Sequence, residues 1–169
     1  MQIKSEDLAT YSVEPQIPSG ERLTPGEWRV VDTALELLRK RVNRADVLSS
    51  PSLVKSYLAI QAAKFDVEVF SVLYVDAQNR PIELVELHRG TLTQTSVYPR
   101  EVLKHALRLN ACSAIITHNH PSGNPQPSEA DKALTQTLKK ALAMVDVRLL
   151  DHIITAAGAT YSFAEAGLV

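Results

Sequence analysis

The stretch "CSAIITHNHPSGNPQPSEAD", Cys112 to Asp131, decides how this chain is read. Its first six residues form a short apolar run of the kind that suits a buried central strand, and that strand would hand the chain directly to His118. His118 and His120 are two residues apart, so an extended backbone points both rings the same way. Pro121, Gly123, Pro125 and Pro127 then break and bend the chain. Ser128 is a helix-capping residue type, and Ala130, Ala133, Leu134, Leu138, Ala141, Leu142 and Val145 recur beyond it at helical spacing. The segment therefore predicts strand, turn-rich loop, helix.

Working outward, "VRLLDHIIT" and "ATYSF" flank "AAG" and predict a β-hairpin. Upstream, Pro99 opens a short helix that ends near Asn110, with Val102, Leu103, Ala106 and Leu107 on its apolar face. A second hairpin is predicted where "DVEVFSVLYVD", Asp66 to Asp76, meets "PIELVELHRG" across the turn-prone "AQNR". Two helices come before it. One follows Ser50, a candidate cap, with Pro51 in its first turn and Leu53, Val54, Tyr57 and Leu58 as its apolar face. The other runs from Pro25 to about Val42, with Trp28, Val31, Leu35 and Leu38 on one side and Arg29, Asp32, Glu36 and Arg39 elsewhere. Residues 1–24 lack periodicity and carry Pro15, Pro18 and Gly20, which reads as a flexible N-terminal arm. Strands and helices interleave, so the expected class is α/β with a mixed sheet in a single domain, behind an N-terminal helical region over 25–64.

With 169 residues, 45% of them apolar and 22% charged, the chain can bury one core. A net charge of −1 advertises no positive field for nucleic acid. The single cysteine, Cys112, excludes an intramolecular disulfide and favours a reducing compartment. No apolar run reaches the length of a membrane span, and the expectation is a cytoplasmic protein without a membrane partner. The apolar faces of the early helices could support a homo-oligomer.

Chemistry concentrates in the histidine loop. Two imidazole nitrogens from His118 and His120 and a carboxylate oxygen from Asp131, brought back by the bent loop, can meet one divalent cation and leave a fourth position open, the pattern of a catalytic zinc site. The plainer alternative is a turn followed by a capped helix, since Ser128 and Asp131 also have capping-box spacing. The H-E-x-x-H signature and the zinc signature of nucleic-acid deaminases are both absent. Asn119, Ser122, Gly123 and Asn124 read as loop-shaping residues, His105 as an exposed helix residue, Cys112 as core, and His152 as a hydrogen-bonded residue of an apolar strand rather than a ligand. Arg100, Lys104 and Arg108 share a side of their helix and read as a solvated face, with phosphate or an acidic peptide as the alternative partner.

H-x-H-P, six residues, then S-x-x-D, as carried by His118, His120, Pro121, Ser128 and Asp131, resembles the JAMM motif of the JAB/MPN metallopeptidases. "HNHPSGNPQPSEAD", "VYPREVLKHAL", "LLDHII" and "YSF" together resemble the RadC family, long labelled as DNA-repair proteins, over Phe65 to Val169. The resemblance implies an MPN/JAB-type, cytidine-deaminase-like mixed sheet flanked by helices, with 65–169 as the metallohydrolase domain. It implies a hydrolase of peptide or isopeptide bonds with one Zn²⁺ per chain on His118, His120 and Asp131, and a peptide or isopeptide-linked protein as substrate. It also promotes Glu68, by composition only a solvent-facing member of an amphipathic strand, to general acid/base, with Glu83 and Glu86 as fallback candidates. Ser128 is expected to cap the helix and stabilise an oxyanion, with Asp131 on the metal instead of closing a capping box. Two features depart from the family: His88 stands where an aromatic is common, and the chain reads as a short form without the N-terminal helix-hairpin-helix region. The alternative function is a non-catalytic or DNA-associated interaction module linked to DNA repair.

Overall fold

The structure, a computed structural model, describes residues 23–42, 50–90 and 97–169. Nearly all of the expected arm therefore lies outside the described residues. The described chain forms α1 (Pro25–Val42), α2 (Pro51–Ala62), β1 (Val69–Val75), β2 (Pro81–Arg89), α3 (Pro99–Arg108), β3 (Ser113–Asn119), α4 (Glu129–Ala143), β4 (Arg148–Ala156) and β5 (Ala159–Ser162). The strands make one sheet in the order β2-β1-β3-β4-β5. Only β3 and β4 run parallel, joined through α4, because parallel neighbours need a crossover that a hairpin cannot supply. Every other pairing is antiparallel, so the sheet is mixed, as the interleaved pattern predicted.

Helices cover both faces. Phe70, Val72, Tyr74 and Ile116 pack with Val102 and Ala106 of α3 and with Leu138 and Leu142 of α4. On the other face Leu73, Val75, Ile115 and Ile153 pack with Leu35 of α1 and with Val54, Tyr57 and Leu58 of α2. Double coverage corrects the reading of the strand containing Val69–Val75 as amphipathic: all seven of its residues are buried. A strand paired on both edges and covered on both faces has no solvent side to alternate with. No helix among the described residues is long and apolar enough to cross a membrane.

Three local expectations need correction. Ser50 stands at the N-cap of α2 but makes no side-chain cap bond; its backbone carbonyl instead accepts from Leu53 and Val54 N–H. Leu107 lies off the buried side of α3 and is exposed, the buried side being Val102 and Ala106. His105 is half-buried rather than exposed, its ring facing that of Tyr74.

Candidate metal centre

Strand pairing builds the site. β1 and β3 pair antiparallel with Phe70 opposite His118. Stepping two residues along each strand puts Glu68 opposite His120, and period-two alternation turns Glu68 and both histidines to the face that α4 covers. The ligand atoms of Glu68, His118 and His120 all lie within 4.8 Å of one another. Glu83 and Glu86 are exposed on opposite faces of β2, paired with Arg108 and Arg89.

His118 and His120 converge as their spacing predicted, with Nε2 atoms 2.9 Å apart. His118 is buried at the end of the central strand, and His120 is half-buried one step beyond it. The His120 N–H donates to Thr155 O at 2.8 Å, which carries the β3–β4 ladder into the loop. The loop then folds back so that Asn124 O meets His120 Nδ1 at 2.8 Å. A carbonyl only accepts, so His120 Nδ1 donates, which leaves Nε2 as the nitrogen that can face a cation. Gly123, at φ +81, makes the turn: its N–H donates to His120 O, and the left-handed backbone is open to glycine without the strain a side chain would bring.

Asp131 arrives from the first turn of α4. Its Oδ1 lies 3.3 Å from His118 Nε2 and its Oδ2 3.7 Å from His120 Nε2. The expectation that Asp131 would forgo the capping box is overturned: Ser128 N–H and Ser128 Oγ–H both donate to Asp131 Oδ2, at 2.8 and 2.7 Å, while Asp131 N–H donates to Ser128 Oγ. A carboxylate has two oxygens, so Oδ2 can close the cap while Oδ1 faces the imidazoles. Burial alone would raise the Asp131 pKa, but the bonds to His118 and Ser128 outweigh it and hold the carboxyl well below the usual carboxylate range. Ser128's hydroxyl proton, expected on an oxyanion, lies on Asp131 in this arrangement. Two imidazole nitrogens, close to Glu68 and met by the Asp131 carboxylate, fit a divalent cation, the donors being hard to borderline and electron-rich.

Asn119 does more than shape the loop. It is buried on the opposite face of β3, where Oδ1 accepts from Val69 N–H at 2.8 Å and Nδ2 donates to Val67 O at 2.9 Å. His152 is the buried, hydrogen-bonded strand residue its apolar surroundings implied, with Nε2 2.8 Å from His118 Nδ1 and its ring stacked on Phe163. Thr135, buried on α4 and 2.7 Å from His152 Nδ1, was not singled out from the sequence, although it stands one helical turn after Asp131 on the same side. An open groove of about 240 Å³, lined by Ala59, Ala62, Phe65 and the Ala157–Gly158 turn, runs past His120. The basic row on α3 is paired: Arg100 and Lys104 meet Glu101, and Arg108 meets Glu83.

Comparison with known proteins places this geometry in context. The family model described as the RadC-like JAB domain matches residues 48–168, a span that includes α2. A UPF0758 protein of Methylibium petroleiphilum is 55% identical over 166 residues, covering 96% of this chain and 74% of the relative. A UPF0758 protein of Verminephrobacter eiseniae is 54% identical over 140 residues, covering 83% of this chain and 59% of the relative. One of Leptothrix cholodnii is 51% identical over 151 residues, covering 87% and 68%. The chain thus spans between about three fifths and three quarters of the length of these relatives.

Proposed function

The chain belongs to the RadC family, and from that premise we propose that it is a zinc-dependent hydrolase of peptide or isopeptide bonds. Its five-stranded mixed sheet flanked by four helices is an MPN/JAB-type α/β domain, a superfamily with metal-dependent hydrolase members. The observation that carries the proposal is the meeting of Glu68 with His118 and His120 within 4.8 Å, with the Asp131 carboxylate against both rings.

His118, His120 and Asp131 would hold the ion, two nitrogens and one oxygen being a common protein ligand set of catalytic zinc. When bound, zinc supplies Lewis acidity and lowers the pKa of water to about 7. The two carboxylates divide the remaining work by how they are held. Asp131 is locked by its cap contacts, which suits a ligand. Glu68 is held through its backbone while its side chain keeps its own torsions, which suits a group that accepts a proton from water and passes it to a leaving nitrogen. Ser128 serves the site first through Asp131, and its hydroxyl can turn to an oxyanion only by leaving Oδ2. An extended peptide has room in the groove beside His120.

Metal analysis of purified protein tests this. About one zinc per chain is expected in the wild type, none in a folded His120→Ala, and full zinc without hydrolysis in Glu68→Gln. Absence of metal after zinc reconstitution overturns the proposal. Zinc without hydrolysis of any peptide or isopeptide substrate in the wild type favours the non-catalytic module instead.

A further inference from the structure

A file of hydrogen bonds leaves the backbone of α4, crosses the buried layer between helix and sheet, and returns to the metal centre. Thr135 Oγ1 lies 2.6 Å from Asp131 O and 2.7 Å from His152 Nδ1. His152 Nε2 lies 2.8 Å from His118 Nδ1. His118 Nε2 then faces Asp131 Oδ1 at 3.3 Å and His120 Nε2 at 2.9 Å. The file begins and ends on the same residue, Asp131.

Its proton order follows from donor and acceptor counting. Two oxygens 2.6 Å apart need a proton between them, and a carbonyl has none, so Thr135 gives its only hydroxyl proton to Asp131 O. Toward His152, Thr135 can then only accept, which puts the ring proton on His152 Nδ1. Thr135 and His152 are both fully buried, and the His152 ring nitrogens meet a hydroxyl and an imidazole rather than a carboxylate that could balance a charge, so its ring is neutral and Nε2 is bare. A bare Nε2 requires His118 Nδ1 to donate. His118 thus keeps its proton on Nδ1, and Nε2, turned toward His120 Nε2 and Asp131 Oδ1, is the nitrogen left to take a cation.

We infer that Thr135 and His152 are positioning residues that fix the tautomer and the ring plane of His118, so that Nε2 is presented as a lone pair to a divalent cation. The inference rests on the metal-centre reading above and extends it to two residues that touch neither metal nor substrate. His120 reaches the same state by a shorter route, from Nδ1 to Asn124 O. The two ligands are thus oriented independently, one by a loop carbonyl and one by a helix carbonyl two side chains away. Outer partners of this kind commonly set ligand tautomer and affinity.

Imidazole ¹⁵N NMR on the metal-free full chain, combined with zinc affinity by chelator competition, tests the inference. Wild type is expected to show His118 with a protonated Nδ1. Thr135→Val keeps the shape but removes the acceptor for His152 Nδ1–H. His152 should then move its proton to Nε2, His118 Nδ1 should lose its proton and become the acceptor, and zinc affinity should fall about tenfold or more. Thr135→Ser, which keeps the hydroxyl, should restore both signals. A metal-free wild type with an unprotonated His118 Nδ1 overturns the inference, as does equal zinc affinity in Thr135→Val and wild type. If Thr135→Val does not fold, the wild-type tautomer alone decides. If wild type binds no zinc, the hydrolase proposal fails while the NMR result still decides the proton order.

Discussion

Asn119 grips the peptide groups on either side of Glu68: its amide oxygen accepts from Val69 N–H at 2.8 Å and its amide nitrogen donates to Val67 O at 2.9 Å. From the other side, Gly90 N–H donates to the carbonyl of Glu68 itself at 3.0 Å. The backbone that aims Glu68 at the histidines is therefore clamped between two strands.

Asn119→Asp tests that clamp. The carboxylate can still accept from Val69 N–H but sets an oxygen against Val67 O, leaving that half-buried carbonyl unmatched. A loss of about 1–3 kcal/mol in denaturant unfolding is expected. Zinc affinity should change little, because His118 and His120 are held elsewhere, while hydrolysis should fall as it does in Glu68→Gln. Unchanged stability and hydrolysis would deny the clamp.

Ser128→Ala removes the hydroxyl half of the capping box, which accepts from Asp131 N–H and donates to Oδ2, and leaves the backbone N–H of residue 128 on Oδ2. Loss of such a cap costs about 1 kcal/mol, which for a chain of this size lowers the melting temperature by roughly 2–4 °C. Weaker zinc binding should accompany it, since Asp131 loses one of its two donors to Oδ2. A thermal melt and a zinc titration on the same sample separate the two effects. If neither moves, Ser128 holds nothing.

The pH dependence of stability has a contributor away from the site. Burial raises the Asp151 pKa, offset in part by the Ser162 hydroxyl and the Ala164 and His152 N–H groups, and the net direction is upward. The folded state therefore binds this proton more tightly than the unfolded state, whose aspartate titrates near about 3.9. Its contribution is present below that pH and is lost as pH rises through the raised folded value. Asp151→Asn should flatten unfolding free energy against pH across that window, measured as the difference from wild type. Parallel curves would remove Asp151 from the account.

The β4–β5 hairpin closes through Ala157 and Gly158, with φ of +44 and +83. Two left-handed residues in a two-residue loop form the turn that asparagine followed by glycine favours, and alanine is strained there. Ala157→Asn is expected to raise stability by up to about 1 kcal/mol in denaturant unfolding, with zinc binding unchanged. A loss of stability would show that the turn is not of this kind.

Much of the architecture was legible locally. Apolar spacing marked the helices starting at Pro25, Pro51 and Pro99, and Ser128 announced α4, because a helix end and an amphipathic face are recorded in residues a few positions apart. Period-two spacing predicted that His118 and His120 would point together, and their Nε2 atoms do meet. Glu68 was reachable only through the family resemblance, since nothing within its own stretch distinguishes it from Glu83 or Glu86. Ser50 and Leu107 were misread because residue type and helical spacing cannot say which side chains a neighbouring layer will meet.

What the sequence determined by itself, then, is the order and kind of the elements and the pairing of the two histidines, for these are properties of short segments and of the two backbone periods. Only the tertiary structure decided which glutamate reaches them, because that depends on the register of β1 against β3. It alone brought Thr135 and His152, from a helix and a strand that follow the motif, behind His118. It also divided Asp131 between a helix cap and the two histidines. Register and layer packing join residues far apart in the chain, and their free energy is a sum over contacts that no single segment contains.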